Sequence, residues 1–289
     1  MKIYEYHDVN RRGRIERVDY STTDEAGKMV AKYANVYLPY GYDKADLEKK
    51  YNILYVMHGG GGSPDAWMDC CKIKNMLDYT IDTGEISEMI VVFPSYYKVP
   101  REGAPVMEKE RKEARFFQNE LIEDLLPAVE SVYKTYADHA TAEGFRKSRM
   151  HRGFCGFSMG AANTWFTFLN RLDSFAWFVP LSGDCWEVEG RGGETCPEET
   201  AKVLYESAAA SGYSPDEYFI FTATGTEDKA ESALTPQLEA MKKYPDTFVY
   251  DEDYGKGNLH YLLYEGWGHE YEAVYQYLYN FLPYLFRER

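Results

Sequence analysis

The five residues Gly156-Phe157-Ser158-Met159-Gly160 constrain this chain more than any other stretch. They separate an apolar run, Met150-His151-Arg152-Gly153-Phe154-Cys155, from Ala161-Ala162-Asn163-Thr164-Trp165-Phe166-Thr167-Phe168-Leu169, which reads as a helix. A strand that gives way to a helix within so few residues needs a tight turn. G-x-S-x-G supplies one, its glycines permitting the backbone contortion and the close helix packing the turn requires. The serine is then lifted out of the fold, as at a nucleophile elbow. A pattern of five residues recurs by chance, so its meaning rests on what the rest of the chain places around it.

Residues 3–9 and 13–20 alternate weakly and read as edge strands, with a third over 29–38. Tyr51-Asn52-Ile53-Leu54-Tyr55-Val56-Met57 is largely apolar and runs into His58-Gly59-Gly60-Gly61-Gly62-Ser63-Pro64, the form of a buried parallel strand followed by a loop and a helix. The next strand is expected at 89–94. After a polar loop over residues 96–112, a helix runs through 119–126 with apolar residues at helical spacing. Strand candidates at 175–181, 218–223 and 259–264 each have a helix candidate behind them. This alternation predicts an α/β fold, a mostly parallel sheet covered on both faces by helices. No linker, low-complexity tract or repeat breaks the 289 residues, so a single domain over 1–289 is expected.

Composition removes several classes of function. With 47 acidic against 32 basic residues the net charge is −15, which weighs against nucleic acid or an anionic membrane as partner. No apolar run approaches the ~18 residues of a membrane-spanning helix. The 27 Tyr, 15 Phe and 5 Trp supply surfaces suited to stacking on sugars or phenolic rings. Cys70, Cys71, Cys155, Cys185 and Cys196 show neither metal-site spacing nor an obvious disulfide framework, although Cys185 and Cys196 flank a glycine-bearing loop they would close if oxidised. No metal and no cofactor is expected. Met1-Lys2-Ile3-Tyr4-Glu5-Tyr6-His7 lacks the features of a signal peptide, so the expected compartment is the cytoplasm for the chain as given, or the exterior if it is a processed or excised module.

A serine hydroxyl is a poor nucleophile at neutral pH and needs a base in hydrogen-bond reach, itself oriented by a third group. In the α/β-hydrolase order the serine comes first, then the acid, then the histidine, each at the carboxyl end of a strand. His260 and His269 both follow Ser158; His260 sits inside a strand run, where a structural role is expected. His269, in the turn Gly266-Trp267-Gly268-His269, is the expected base. The acid belongs on Thr224-Gly225-Thr226-Glu227-Asp228-Lys229, where Asp228 is the first choice and Glu227 the alternative. The negative oxygen of a tetrahedral intermediate needs preorganised donors: the backbone N–H of Met159 is one, and the glycine loop after His58, at Gly60, offers the other. A phosphate-loop reading of that loop fails because no Gly-Lys-Ser/Thr follows. His58 itself is expected to brace the loop by hydrogen bonding. Gly59, Asp184, Trp186 and Trp267 are the expected substrate contacts.

With these residues in place the chain resembles the feruloyl esterases of carbohydrate esterase family 1, particularly the esterase modules attached to bacterial xylanases. The resemblance rests on Tyr37-Leu38-Pro39-Tyr40-Gly41-Tyr42-Asp43, Tyr55-Val56-Met57-His58-Gly59-Gly60-Gly61, Ser148-Arg149-Met150-His151-Arg152-Gly153-Phe154, Gly156-Phe157-Ser158-Met159-Gly160, Pro180-Leu181-Ser182-Gly183-Asp184 with Trp186, Ala223-Thr224-Gly225, and Pro236-Gln237-Leu238-Glu239-Ala240-Met241. It implies an α/β-hydrolase fold and a metal-free serine esterase that releases ferulate and related hydroxycinnamates from arabinoxylan. The substrate would be a feruloylated arabino-xylooligosaccharide or a small hydroxycinnamate ester. It also implies Ser158 as nucleophile, His269 as base, the acid on the turn after Gly225, and oxyanion donors near Gly60 and Met159. Ala161 stands where the family usually has a further glycine, and the stretch Glu187 to Cys196 departs from the family's pattern. Two other readings share these residues: an acetyl xylan esterase or S-formylglutathione hydrolase-like enzyme, and a hydrolase fold that binds carbohydrate without catalysis. An intact triad weighs against the second.

Overall fold

The computed structural model describes residues 2–24, 26–46, 48–98 and 106–287. Its centre is one sheet with strands β1 (Arg14–Thr23), β2 (Met29–Leu38), β3 (Asn52–Met57), β4 (Met89–Phe93), β5 (Arg152–Phe157), β6 (Trp177–Leu181), β7 (Phe219–Gly225) and β8 (Leu259–Tyr264). Their order is β1-β2-β4-β3-β5-β6-β7-β8. β1 and β2 pair antiparallel, β2 joins β4 antiparallel, and every pairing from β4 across to β8 is parallel. The chain leaves β3 for β4 on one side and returns to β5 on the other. The gap beyond the carboxyl ends of β3 and β5 is therefore the topological switch point, where open α/β sheets place their ligands.

Helices follow the strands in turn: α1 (Ala66–Cys70) and α2 (Ile73–Asp82) after β3; α3 (Met107–Glu120), α4 (Leu126–Glu130) and α5 (Ala142–Lys147) after β4; α6 (Met159–Arg171) after β5. Then come α7 (Gly192–Thr195) and α8 (Pro197–Ser211) after β6, α9 (Glu231–Met241) after β7, and α10 (Tyr271–Phe281) after β8. Side chains of a strand alternate between faces, and the central strands are apolar on both. Ile53, Tyr55 and Met57 pack with Phe117, Trp165 and Leu204 of α3, α6 and α8. Leu54 and Val56 pack on the opposite side with Trp67, Leu77 and Leu278 of α1, α2 and α10. The result is the α/β-hydrolase fold, a helix–sheet–helix sandwich built on one mixed sheet.

Three segments differ from the sequence expectation. Residues 3–9 form no strand; the segment lies across α2 and α10, its backbone groups bound by side-chain amides. The Tyr4 N–H donates to Gln276 Oε1 at 2.6 Å, the Lys2 N–H to Asn280 Oδ1 at 2.8 Å, and Asn75 Nδ2 donates to the His7 carbonyl at 2.8 Å. Tyr4 is buried between neighbours that are not, which mimics strand alternation without a ladder. The helix expected over 119–126 is interrupted by a π-helical turn at Leu121–Leu125, where the Leu126 N–H reaches back to the Leu121 carbonyl. Pro127 explains it: a proline in a continuous helix lacks its N–H and collides with the carbonyl four residues earlier, and the wider turn absorbs both defects. The strand expected over 150–155 begins at Arg152, after a 3₁₀ turn over Arg149–His151.

Candidate active site

The turn from β5 to α6 carries its strain in the serine. Ser158 has φ 56° and ψ −113°, a region costly for a residue with a Cβ, and its N–H donates to the Leu181 carbonyl at 3.0 Å. The flanking glycines serve a different need. A Cβ on Gly156 would lie 2.2 Å from the Gly160 carbonyl oxygen, and one on Gly160 would lie 2.6 Å from that of Met57 and 2.7 Å from that of His58. They let α6 start hard against β3 and β5; neither has a positive φ.

The carboxyl ends of β5, β7 and β8 then converge. Ser158 Oγ lies 2.9 Å from His269 Nε2, and His269 Nδ1 lies 2.7 Å from Asp228 Oδ1. Gly225 permits the approach of the loops that carry Asp228 and His269, since a Cβ there would meet the Trp267 carbonyl at 1.9 Å. Of the two acidic residues on the turn, Asp228 is buried, with its N–H on the Gly225 carbonyl at 3.1 Å and its Oδ1 accepting the Ala230 N–H at 2.7 Å. Glu227 is exposed and contributes only its N–H, to the Trp267 carbonyl at 3.1 Å. Burial opposes the charge on Asp228, but the hydrogen bond and charge of His269, the Ala230 N–H and the neighbouring Ser182 outweigh it and hold the acid below its ordinary range. An ionised carboxylate can only accept, so His269 keeps a proton on Nδ1 in both of its forms, and in the neutral form it presents a bare Nε2 to the serine hydroxyl.

Behind the serine lies the glycine loop. His58, fully buried, is held neutral, its pKa brought down to about 4 by burial. Its Nδ1–H donates to the Gly59 carbonyl at 2.7 Å, and its Nε2 accepts from Ser95 Oγ at 2.8 Å. The loop's own amides are nearly all used: Gly59 N–H on Tyr271 Oη at 3.1 Å, Gly61 N–H on Tyr97 Oη at 2.6 Å, and Gly62 N–H on the Gly59 carbonyl at 3.1 Å. Among the described residues the Gly60 N–H has no acceptor. Nor has that of Met159, the first residue of α6, where helix donors are left unsatisfied and the macrodipole favours negative charge. Gly60 packs beside Met159: a Cβ on Gly60 would stand 3.5 Å from Met159 Cγ.

A cavity of about 740 Å³ opens above Ser158 and His269. Met107 and Glu110 of α3 and the segment after β6 form one wall, and Glu270, Tyr271 and Cys70 form the other. Trp186 lines the first wall, held by its Nε1–H on Asp184 Oδ1 at 3.0 Å, while Asp184 Oδ2 accepts the Gly193 N–H at 2.9 Å. Asp184 touches the cavity, but both its oxygens are committed to orienting this loop. Gly59 also lines the cavity, with its N–H engaged. Trp267 does not reach it: its ring packs on Tyr264 and Tyr277, which corrects the sequence expectation. The Trp267 carbonyl faces the acid turn, where it accepts the Glu227 N–H at 3.1 Å, while the indole packs half-buried against the core. Cys185 and Cys196 are free thiols, and Cys185 is fully buried. His260 is buried with Nδ1 on the Asp251 carbonyl at 2.8 Å and stacks on Phe221.

The sequence missed Arg111. Its guanidinium donates to the carbonyls of Trp186 at 2.7 Å, Glu187 at 2.7 Å and Val188 at 2.8 Å, fastening the loop to α3. It also missed Glu110, buried on the cavity wall and accepting from Tyr97 Oη at 2.7 Å. An Arg–Glu pair in a charged helix carries no sequence signal of this kind.

The esterase family model matches residues 32–238, well over half of the chain. The chain belongs to the esterase family. This esterase is 41% identical over 277 residues to endo-1,4-beta-xylanase Y of Acetivibrio thermocellus, an alignment covering 96% of the chain and 23% of the relative. It is 30% identical over 245 residues to the endo-1,4-beta-xylanase/feruloyl esterase of Xylanibacter ruminicola, covering 83% of the chain and 28% of the relative. The chain thus spans about a quarter of the length of these curated relatives. Among solved structures, a serine-to-alanine variant of the feruloyl esterase module from Clostridium thermocellum, complexed with sinapinate, superposes with a TM-score of 0.82 at 39% identity. That match covers 100% of this esterase and 96% of the module.

Proposed function

We propose that this esterase hydrolyses hydroxycinnamoyl esters, feruloyl esters of arabinoxylan foremost, through an acyl-enzyme on Ser158, with residues 1–289 acting as one catalytic domain. The observation that carries the reading is the unbroken relay from Asp228 through His269 to Ser158, opening onto a cavity of about 740 Å³. As Ser158 Oγ attacks the ester carbonyl carbon, its proton passes to His269 Nε2, and Asp228 stabilises the imidazolium that forms. The carbonyl oxygen becomes negative and is met by the N–H groups of Gly60 and Met159, each donor of this kind worth ~3–4 kcal/mol. Collapse of the intermediate breaks the bond to the sugar oxygen, which leaves with the proton from Nε2. Water then attacks the acyl-enzyme, gives its proton to His269, and expels Ser158 Oγ, which takes that proton back as the hydroxycinnamate is released.

The acyl group is inferred from the cavity. An acetyl group would leave most of its 740 Å³ empty, whereas the Met107 thioether and the Trp186 indole form a wall suited to a planar aromatic ring. The relatives named for feruloyl esterase activity and the sinapinate complex support the same choice. Ser158→Ala is expected to lower turnover of methyl ferulate at least ~10³-fold, with the thermal midpoint unchanged; turnover within tenfold of the parent would overturn the assignment. In a panel of methyl ferulate, methyl p-coumarate, acetylated xylan and S-formylglutathione, the two hydroxycinnamates are expected to give the highest kcat/KM.

A further inference from the structure

We infer that Tyr97 and Tyr271 are positioning residues that grip the oxyanion loop from its two sides and aim the Gly60 N–H. The inference rests on the reading of Gly60 as an oxyanion donor. Glycine loops are soft, and a donor that must meet a developing charge gains its value from being fixed beforehand. In this loop the amides on either side of Gly60 are each anchored on a phenol oxygen. Gly59 N–H bonds Tyr271 Oη at 3.1 Å and Gly61 N–H bonds Tyr97 Oη at 2.6 Å. The two phenols come from separate elements. Tyr271 opens α10, two residues after His269, and its ring packs against Phe157 and Trp67. Tyr97 follows β4, and its hydroxyl donates to the buried Glu110 of α3 at 2.7 Å.

The grip continues under the loop. Ser95 Oγ accepts the Tyr97 N–H at 3.1 Å and meets His58 Nε2 at 2.8 Å, while His58 Nδ1 holds the Gly59 carbonyl. Of the four glycine amides of the loop, those of Gly59, Gly61 and Gly62 are thus tied down and that of Gly60 is not. Tyr97 does not line the catalytic cavity; it borders a separate hollow of about 350 Å³ on the other side of the loop, with Lys32 and Ser95. Its hydroxyl therefore acts through the Gly61 N–H and the Glu110 carboxylate and does not itself line the substrate's cavity. Because Arg111, next to Glu110, fastens the Trp186 loop, α3 holds the oxyanion donor and the acyl wall in one register.

The test is Tyr97→Phe, which keeps the ring and removes the anchor. On methyl ferulate, kcat is expected to fall about tenfold with KM within about twofold, the pattern of an interaction made mainly in the transition state. Affinity for an aryl boronic acid, which forms a tetrahedral adduct on Ser158, should fall by the same factor, while inhibition by free ferulate stays unchanged. Tyr271→Phe carries the same test from the other side and replaces it if Tyr97→Phe does not fold. A Tyr97→Phe enzyme with kcat within twofold of the parent, or with KM raised and kcat held, would overturn the clamp. Ser158→Ala is measured alongside: if it retains turnover, the serine-esterase reading falls instead.

Discussion

At the scale of single residues, the choice between Asp228 and Glu227 shows what a turn decides and a sequence does not. The two carboxylates are adjacent, yet the hydrogen bond from the Asp228 N–H to the Gly225 carbonyl turns one inward to His269 and the other out to solvent. Asp228→Asn is expected to lower kcat about 10³–10⁴-fold, because an amide lets the imidazole settle in the wrong tautomer, while the fold persists. Glu227→Gln should leave kcat within twofold. Turnover of methyl ferulate with a thermal melt on each variant checks both. The order of serine, acid and histidine was legible because each follows an apolar strand. The roles of Asp184 and Arg111 were not, because both act on backbone groups of a loop whose path no periodicity encodes.

At the scale of elements, two kinds of glycine separate. Gly160 has an ordinary φ and no room for a side chain, with backbone oxygens on β3 and its loop at 2.6 and 2.7 Å. Gly212, after α8, has open space but a φ of 77°. Gly160→Ala is expected to destabilise by about 3 kcal/mol or to abolish soluble expression, as overpacking against rigid backbone does. Gly212→Ala should cost only about 1 kcal/mol, the conformational penalty alone. Urea unfolding of both variants distinguishes steric from torsional need. Element positions were largely readable from periodicity, which is why the β3, β4, β7 and β8 segments fall close to expectation. The π turn at Leu121–Leu125 was hidden because a single proline perturbs hydrogen bonding without disturbing the apolar stripe.

At the scale of the whole molecule, stability should depend on pH through His58. An exposed histidine takes its proton near 6.5, but burial holds His58 neutral down to about 4. Between those values the unfolded chain binds a proton the native state refuses, so stability falls as pH drops through the window, by on the order of 3 kcal/mol in total. Asp228 acts lower: its depressed pKa adds stability above the unfolded carboxylate value and loses it only as pH falls below that. Unfolding free energies in urea between pH 7 and pH 4.5 should decline steadily; a flat profile would mean His58 accepts its proton in place.

The N-terminal segment that proved not to be a strand has a consequence for the wiring of the molecule. Lys2 and Asn280 exchange hydrogen bonds at 2.8 Å in both directions, so the opening of the fold and its last helix meet across one side chain. Connectivity there is a matter of chemistry and not of architecture. A circular permutant that joins residue 287 to residue 2 through a flexible linker, and opens at the exposed Gly212 turn between α8 and β7, keeps every strand neighbour and the whole relay intact. It is expected to match the parent's kcat on methyl ferulate.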